Sequence, residues 1–186
     1  MSYEQIIRQY LTAIHEITLE YCDADDFISY FLDGNIELRK IECKKPLIIV
    51  RKNDRIFFSY YGIPEINELW PFLNALVRIS NNKVQLEPSE RDIAVTISGN
   101  IKLFVTPDCT KCPIAAELLY QLPIINEKIS LEIIDITTYA ELGEKYRVLS
   151  VPKIVLNDKI ELPGSFPPNI LLKMLAKSSN KDNANA

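Results

Sequence analysis

The chain has 186 residues, 47% apolar and 25% charged, with a formal charge of −4. That is enough for one ordinary domain or two small units with real cores, and the charge gives no electrostatic reason to expect nucleic acid or an anionic membrane as partner. No apolar run approaches a membrane span. Charged residues also stand where the apolar core of an export signal would begin, so the expectation is a cytoplasmic protein with no membrane and no nucleic-acid partner.

In chain order, "SYEQIIRQYL" opens with Ser2 and Gln5 in capping-box register and predicts a helical arm, extended here to carry His15 as a surface or packing residue. "EITLEYC" alternates like a strand and ends at Cys22. "DDFISYFLDG" reads as a short helix stopped by Gly34, and "NIELRKI" as another strand. Only Cys43, Lys44 and Lys45 then precede Pro46, so the second strand is expected to form a hairpin with the third. "PLIIVRKNDRIFFSYYG" is strand, Asn53-Asp54 turn, strand. A helix from Glu65 to Ser80 follows, with Trp70 placed in the core. In "NNKVQLEPSERDIAVTISGN", Ser89 is expected to cap a short linking helix.

The second half starts with the strand Ile101–Val105 and a helix from about Cys109 that Pro123 ends or kinks. "SLEIIDI" is a buried strand, and "TTYAELGEKYRV" a helix with a threonine cap. "VPKIVLNDKIELPG" is a hairpin turning at Asn157-Asp158, and "PNILLKMLAK" an amphipathic helix. Residues 179–186 are expected to be a disordered tail.

The halves repeat one another. Pro46 matches Pro152, Asn53-Asp54 matches Asn157-Asp158, and Gly62 matches Gly164. Cys22 then takes the place in its half that Cys109 takes in the other. The division is residues 1–80, a linking segment 81–100, a second unit 101–178, and the tail. The fold class is α/β, two tandem units with the N-terminal one truncated and degenerate.

Chemistry concentrates in "TPDCTKCP". Cys109 and Cys112 lie between a strand and a helix, so the helix N-terminus can stabilise negative charge on one sulfur, with Lys111 beside it. Spacing i, i+3 puts Cys112 where it can attack a mixed disulfide formed at Cys109. A zinc site would need Cys22 and Cys43 to join this pair across both units; no metal is assigned, and no cofactor is called for. Cys22 and Cys43 carry two readings: separate small buried side chains, or a disulfide across the degenerate N-terminal site.

A strand entering C-x-x-C at a helix start, followed by Val-Pro before a hairpin, resembles the thioredoxin/glutaredoxin fold. Two such units, with "FVTPDCTKCP", "YYGIP" and "VPKIV" in that order, resemble the archaeal protein disulfide oxidoreductases. The resemblance implies that Cys109 is the exposed attacking cysteine and Cys112 the buried resolving one. It also implies that Pro152 is a cis-proline facing them, matched by Pro46, with Val151, Thr110 and Lys111 meeting the substrate. The implied partners are protein disulfides and dithiols, with a thioredoxin reductase and a peroxiredoxin among those of some members. Two other readings are a dedicated electron carrier for one enzyme and a non-catalytic binding module. Asp25 stands three residues after Cys22, and Leu103 stands where thioredoxins keep a buried acid. Exchange is therefore expected at the C-terminal pair alone.

Overall fold

The computed structural model describes residues 2–184. In chain order its elements are α1 (Tyr3–Leu11), β1 (His15–Cys22), α2 (Asp25–Ser29), β2 (Asn35–Lys40), β3 (Leu47–Lys52), β4 (Arg55–Tyr61), a 3-10 turn (Ile66–Glu68), α3 (Leu69–Asn81) and α4 (Pro88–Ala94). The second half supplies β5 (Gly99–Val105), α5 (Cys112–Leu119), α6 (Leu122–Ile125), β6 (Ile129–Asp135), α7 (Ala140–Lys145), β7 (Lys153–Leu156), β8 (Ile160–Pro163) and α8 (Pro168–Ala184).

The strands form one eight-stranded sheet in the order β2-β1-β3-β4-β6-β5-β7-β8. Each half contributes four strands, and they join where Ser59–Tyr61 of β4 pair in parallel with Glu132–Ile134 of β6. Both hairpins turn on Asn-Asp pairs with positive φ, at Asn53-Asp54 and Asn157-Asp158. That backbone matches the twist of the flanking strands, and asparagine and aspartate tolerate it best after glycine. The main core lies under α3, α5 and α8, with Phe58, Phe72, Leu103 and Leu119 fully buried. A smaller cluster around Phe104, Ile134 and Val155 lies on the other face, covered by α7. Among the described residues, no helix is long and apolar enough to cross a membrane.

Several expectations are corrected. β2 does not form a hairpin with β3; it pairs in parallel with β1, and β3 pairs antiparallel with β1 on its other side. Residues 41–46 cross the end of β1, and two strand spacings, roughly 10 Å, are within their reach. His15 opens β1, its N–H bonded to Ser80 Oγ at 3.0 Å, and is not helical. Trp70 is 41% exposed, because the buried stripe of α3 runs through Leu69, Phe72, Leu73 and Leu76, and Trp70 lies on the outward stripe with Asn81. Ser89 does not cap α4. Glu87 does, and its N–H is accepted by the Glu90 carboxylate at 2.9 Å.

In α7 neither threonine caps the helix: the hydroxyls of Thr137 and Thr138 donate to the Asp135 carboxylate at 2.7 and 2.9 Å, and Tyr139 stands at the cap position. Helix α8 continues to Ala184, so residues 179–184 are not a disordered tail, while 185 and 186 lie outside the described residues. Ser179 is buried; it accepts the Ser98 N–H at 2.9 Å and donates to the Ser98 carbonyl at 3.0 Å.

Candidate functional site

β5, the strand next to the centre of the second half, ends at Val105, and Thr106–Cys109 turn back on themselves with the Cys109 N–H bonded to the Thr106 carbonyl at 3.1 Å. Pro107 has the fixed φ that such a turn wants at its second position. The helix begins at Cys112, with Lys111 as its cap residue, and not at Cys109. Pro113 dictates this. A helix started at Cys109 would need a Pro113 N–H to reach back four residues, and proline has none, so it fits only the first turn.

Cys109 and Cys112 are joined as a disulfide with Cα atoms 5.5 Å apart. Cys109 is half-buried and Cys112 fully buried. The Cys112 N–H, unpaired within its own helix, donates to Cys109 Sγ at 3.1 Å. An orphan donor at a helix start thus points at the outer sulfur, the arrangement that stabilises charge there when the bond opens. Thr110 and Lys111 are exposed beside it.

Strand β7 pairs antiparallel with β5, and the ladder runs out at Phe104–Lys153. Pro152 therefore comes next in register, at the end of β5 from which the cysteine turn departs. The Val151-Pro152 bond is cis, and among the described residues it is the one cis bond, so Pro46 does not match it in this respect. Pro152 is buried, with Val151 half-buried before it. Gly164 approaches so closely that a Cβ there would stand 2.8 Å from Pro152 Cβ, and its N–H bonds the Pro152 carbonyl at 2.9 Å.

The N-terminal pair is a different arrangement. Cys22, 3% exposed, and Cys43, exposed, form a disulfide with Cα atoms 5.9 Å apart, which settles the two readings of these residues. Cys22 does not take the place of Cys109. It pairs with Leu47, the residue after Pro46, just as Phe104 pairs with Lys153, the residue after Pro152. Cys22 is thus the counterpart of Phe104, because β1 passes into α2 with no counterpart of the Thr106–Lys111 segment. Of the positive run nearby, Arg39 and Lys40 lie on the edge strand and pair with Glu20 and Glu37 and with Asp25, while Lys45 lies in the crossing segment and pairs with Glu141 of α7.

One buried acid was missed by sequence reasoning. Glu68 is fully buried and neither carboxylate oxygen has a hydrogen-bond partner among the described residues. Burial, and then the nearby Asp135 carboxylate, push its pKa up to about 8. Glu68 closes the 3-10 turn, which packs against α5, and the neighbouring Asn67 N–H bonds the Pro107 carbonyl at 3.2 Å. The first half thus brings a protonatable acid to the base of the second half's cysteine turn. A signal existed: Glu68, Phe72, Ala75 and Ile79 fall on one helical stripe, and a lone charge on an apolar stripe is a buried charge.

Comparison with known proteins places both halves. A family model for a thioredoxin-like domain matches residues 3–82, and one for a thioredoxin domain matches residues 99–176. A probable thioredoxin from Methanothermobacter thermautotrophicus is 33% identical over 67 residues, which is 36% of this chain and 79% of that protein. The crystal structure of Sso1120 from Sulfolobus solfataricus superposes with a TM-score of 0.83 at 53% identity, covering 87% of this chain and 99% of that one. A protein disulfide oxidoreductase from Aeropyrum pernix K1 shares the fold at 18% identity, with a TM-score of 0.76 over 96% of this chain and 93% of that one.

Proposed function

The chain belongs to the thioredoxin family, as two such domains in tandem, and we propose that it exchanges disulfides with protein substrates through Cys109 and Cys112. The observation that carries this reading is the asymmetry of the pair: a solvent-reachable Cys109 sulfur receiving the N–H of a fully buried Cys112.

In the reducing direction the Cys109 thiolate attacks a substrate disulfide, and one substrate sulfur leaves as a thiolate that takes up a proton. Cys112 gives up its proton and attacks Cys109 Sγ. The second substrate thiol is released, and the protein is left with the Cys109–Cys112 disulfide, two electrons having passed to the substrate. An external dithiol, such as that of a thioredoxin reductase, restores the pair, and a peroxiredoxin is a fitting acceptor. The opposite direction runs through the same steps.

Val151 and Pro152 form the lip along which an extended substrate segment lies, with Thr110 and Lys111 flanking it. Glu68 is the proton acceptor available to Cys112 in the resolving step, since a buried acid with a pKa near the working pH both takes and returns a proton. The N-terminal unit contributes that acid and shapes the surface. A cytoplasmic site of action suits a pair that cycles between dithiol and disulfide.

The test is insulin reduction with dithiothreitol, together with recovery of mixed disulfides on a Cys112→Ser protein. Turnover of insulin and a set of several trapped proteins support general protein exchange. A single trapped partner replaces this reading with that of a dedicated electron carrier. Absence of both turnover and trapping leaves a non-catalytic binding module.

A further inference from the structure

Both disulfides lie at one edge of the sheet. Strands β1, β2, β4, β5 and β6 run in the same direction, so the ends of β1 and β5 project on the same side. Between β1 and β5 there are four strand spacings, roughly 19 Å. The two disulfides are too far apart for sulfur to attack sulfur, and any coupling between them is mechanical.

The structure holds a path for it. Cys43 sits two residues before Lys45, in the exposed segment that crosses the end of β1. Lys45 Nζ donates to the Thr138 carbonyl at 3.2 Å and to Glu141 Oε2 at 2.7 Å, and lies 5.1 Å from the centre of the Tyr139 ring. In return, Tyr139 Oη lies within donating distance of the Lys45 carbonyl (3.2 Å) and the Pro46 carbonyl (3.0 Å). Residues 138–141 are the entry to α7 in the other unit. Tyr139 and Val151 belong to the same small apolar layer over Phe104, so the segment gripped by Lys45 shares its packing with the lip of the proposed active site.

We propose that Cys22–Cys43 is a redox-operated latch on this seam. A dithiol reductant attacks the exposed Cys43 sulfur, and Cys22 leaves as a thiolate and is protonated. The reductant's second thiol then attacks the mixed disulfide, freeing Cys43 and closing the reductant into its own disulfide, so two electrons and two protons enter the protein. With the bond open, residues 42–45 lose their covalent tie to β1, and the grip of Lys45 on residues 138–141 relaxes. The proposal rests on the Cys109–Cys112 reading only for what the latch is good for. Its existence is independent of that reading.

The test therefore uses a Cys109→Ser/Cys112→Ser protein, in which Cys22–Cys43 is the remaining disulfide. The protein is equilibrated in dithiothreitol buffers of graded potential without denaturant. The fraction open is read by alkylation and mass spectrometry, and amide hydrogen exchange is followed by peptide. The Tyr139 and Gly143 N–H groups, bonded to the Asp135 and Tyr139 carbonyls, report on the α7 entry. The expected result is opening of the bond in the folded protein, with exchange at 138–143 at least about threefold faster and the β7–β8 hairpin unchanged. A Lys45→Met protein should show the fast exchange with the bond intact. Reduction that requires global unfolding, or an open bond with unchanged exchange at 138–143, overturns the proposal.

Discussion

The backbone N–H of Cys112 donates to the sulfur of Cys109 at 3.1 Å, while the Cys112 side chain has no exposed surface. Both facts favour Cys109 as the outer, attacking thiol of the proposed exchange. In the fully reduced protein, iodoacetamide at mildly acidic pH followed by peptide mapping should label Cys109 at least about tenfold faster than Cys112. Preferential labelling of Cys112 would reverse the roles.

The proposed exchange leaves out the N-terminal disulfide, since Cys22 is in register with Phe104 and no second thiol follows it on α2. Insulin reduction should fall by at least about a hundredfold in Cys109→Ser, because without the attacking thiolate no mixed disulfide forms. A Cys22→Ser/Cys43→Ser protein should stay within about threefold of wild type. Circular dichroism should show both to be folded. A folded but inactive double variant would mean that the chemistry is shared between the halves.

Glu68 makes stability fall as pH rises. Its carboxyl stays protonated in the folded chain up to about 8 but ionises in the unfolded chain near its ordinary value of 4.5. Between those values the folded state binds more protons, so the penalty is absent below the unfolded pKa and complete above the folded one. A shift of this size corresponds to a few kcal/mol, on the order of 1.4 per unit. Glu68→Gln should therefore gain melting temperature relative to wild type as pH goes from 5 to 8.5. Its insulin turnover should drop about tenfold and lose the pH dependence centred near 8. Parallel melting curves for the two proteins across that range would remove Glu68 from both roles.

Gly164 sets the position of Pro152, the proposed substrate lip. A methyl group there meets Pro152 Cβ at 2.8 Å and the Pro152 carbonyl at 3.0 Å, contacts that only displacement of Pro152 relieves. Gly164→Ala should cost about 1–3 kcal/mol and raise KM for insulin several-fold. The small reagent 5,5′-dithiobis(2-nitrobenzoic acid), which needs no lip, should react with reduced Cys109 at an unchanged rate.

The second half was legible because its signals are local. The strand Ile101–Val105, the C-x-x-C and the Asn157-Asp158 turn each carry their own chemistry, and the structure gives the strand as Gly99–Val105 and the turn with positive φ at both residues. Pro113 also encoded the true helix start, through the missing N–H, although the simple pattern of apolar spacing pointed to Cys109. What was not legible depended on long-range pairing. Nothing near residues 41–46 says that the chain crosses β1 before adding β3, and that crossing decides both the neighbour of β2 and the register of Cys22. Glu68 carried a stripe signal, but part of its burial comes from the other unit's α5, a long-range contact. Trp70 was misplaced because hydrophobicity outweighed its position on the outward stripe of α3.

The three-residue pairing of β4 with β6 has a consequence for how such a chain is made and lost. Cut anywhere between residues 82 and 99, it would yield two half-sheets, each with a raw edge that its partner normally covers, and such edges recruit other chains. During synthesis the first half emerges with β4 paired to β3 alone, its outer side open until β6 is translated, a window in which a chaperone or mispairing competes. Once closed, neither half can melt without uncovering the other's inner edge strand. Heat and proteases should therefore meet a single cooperative object, although its sequence reads as two.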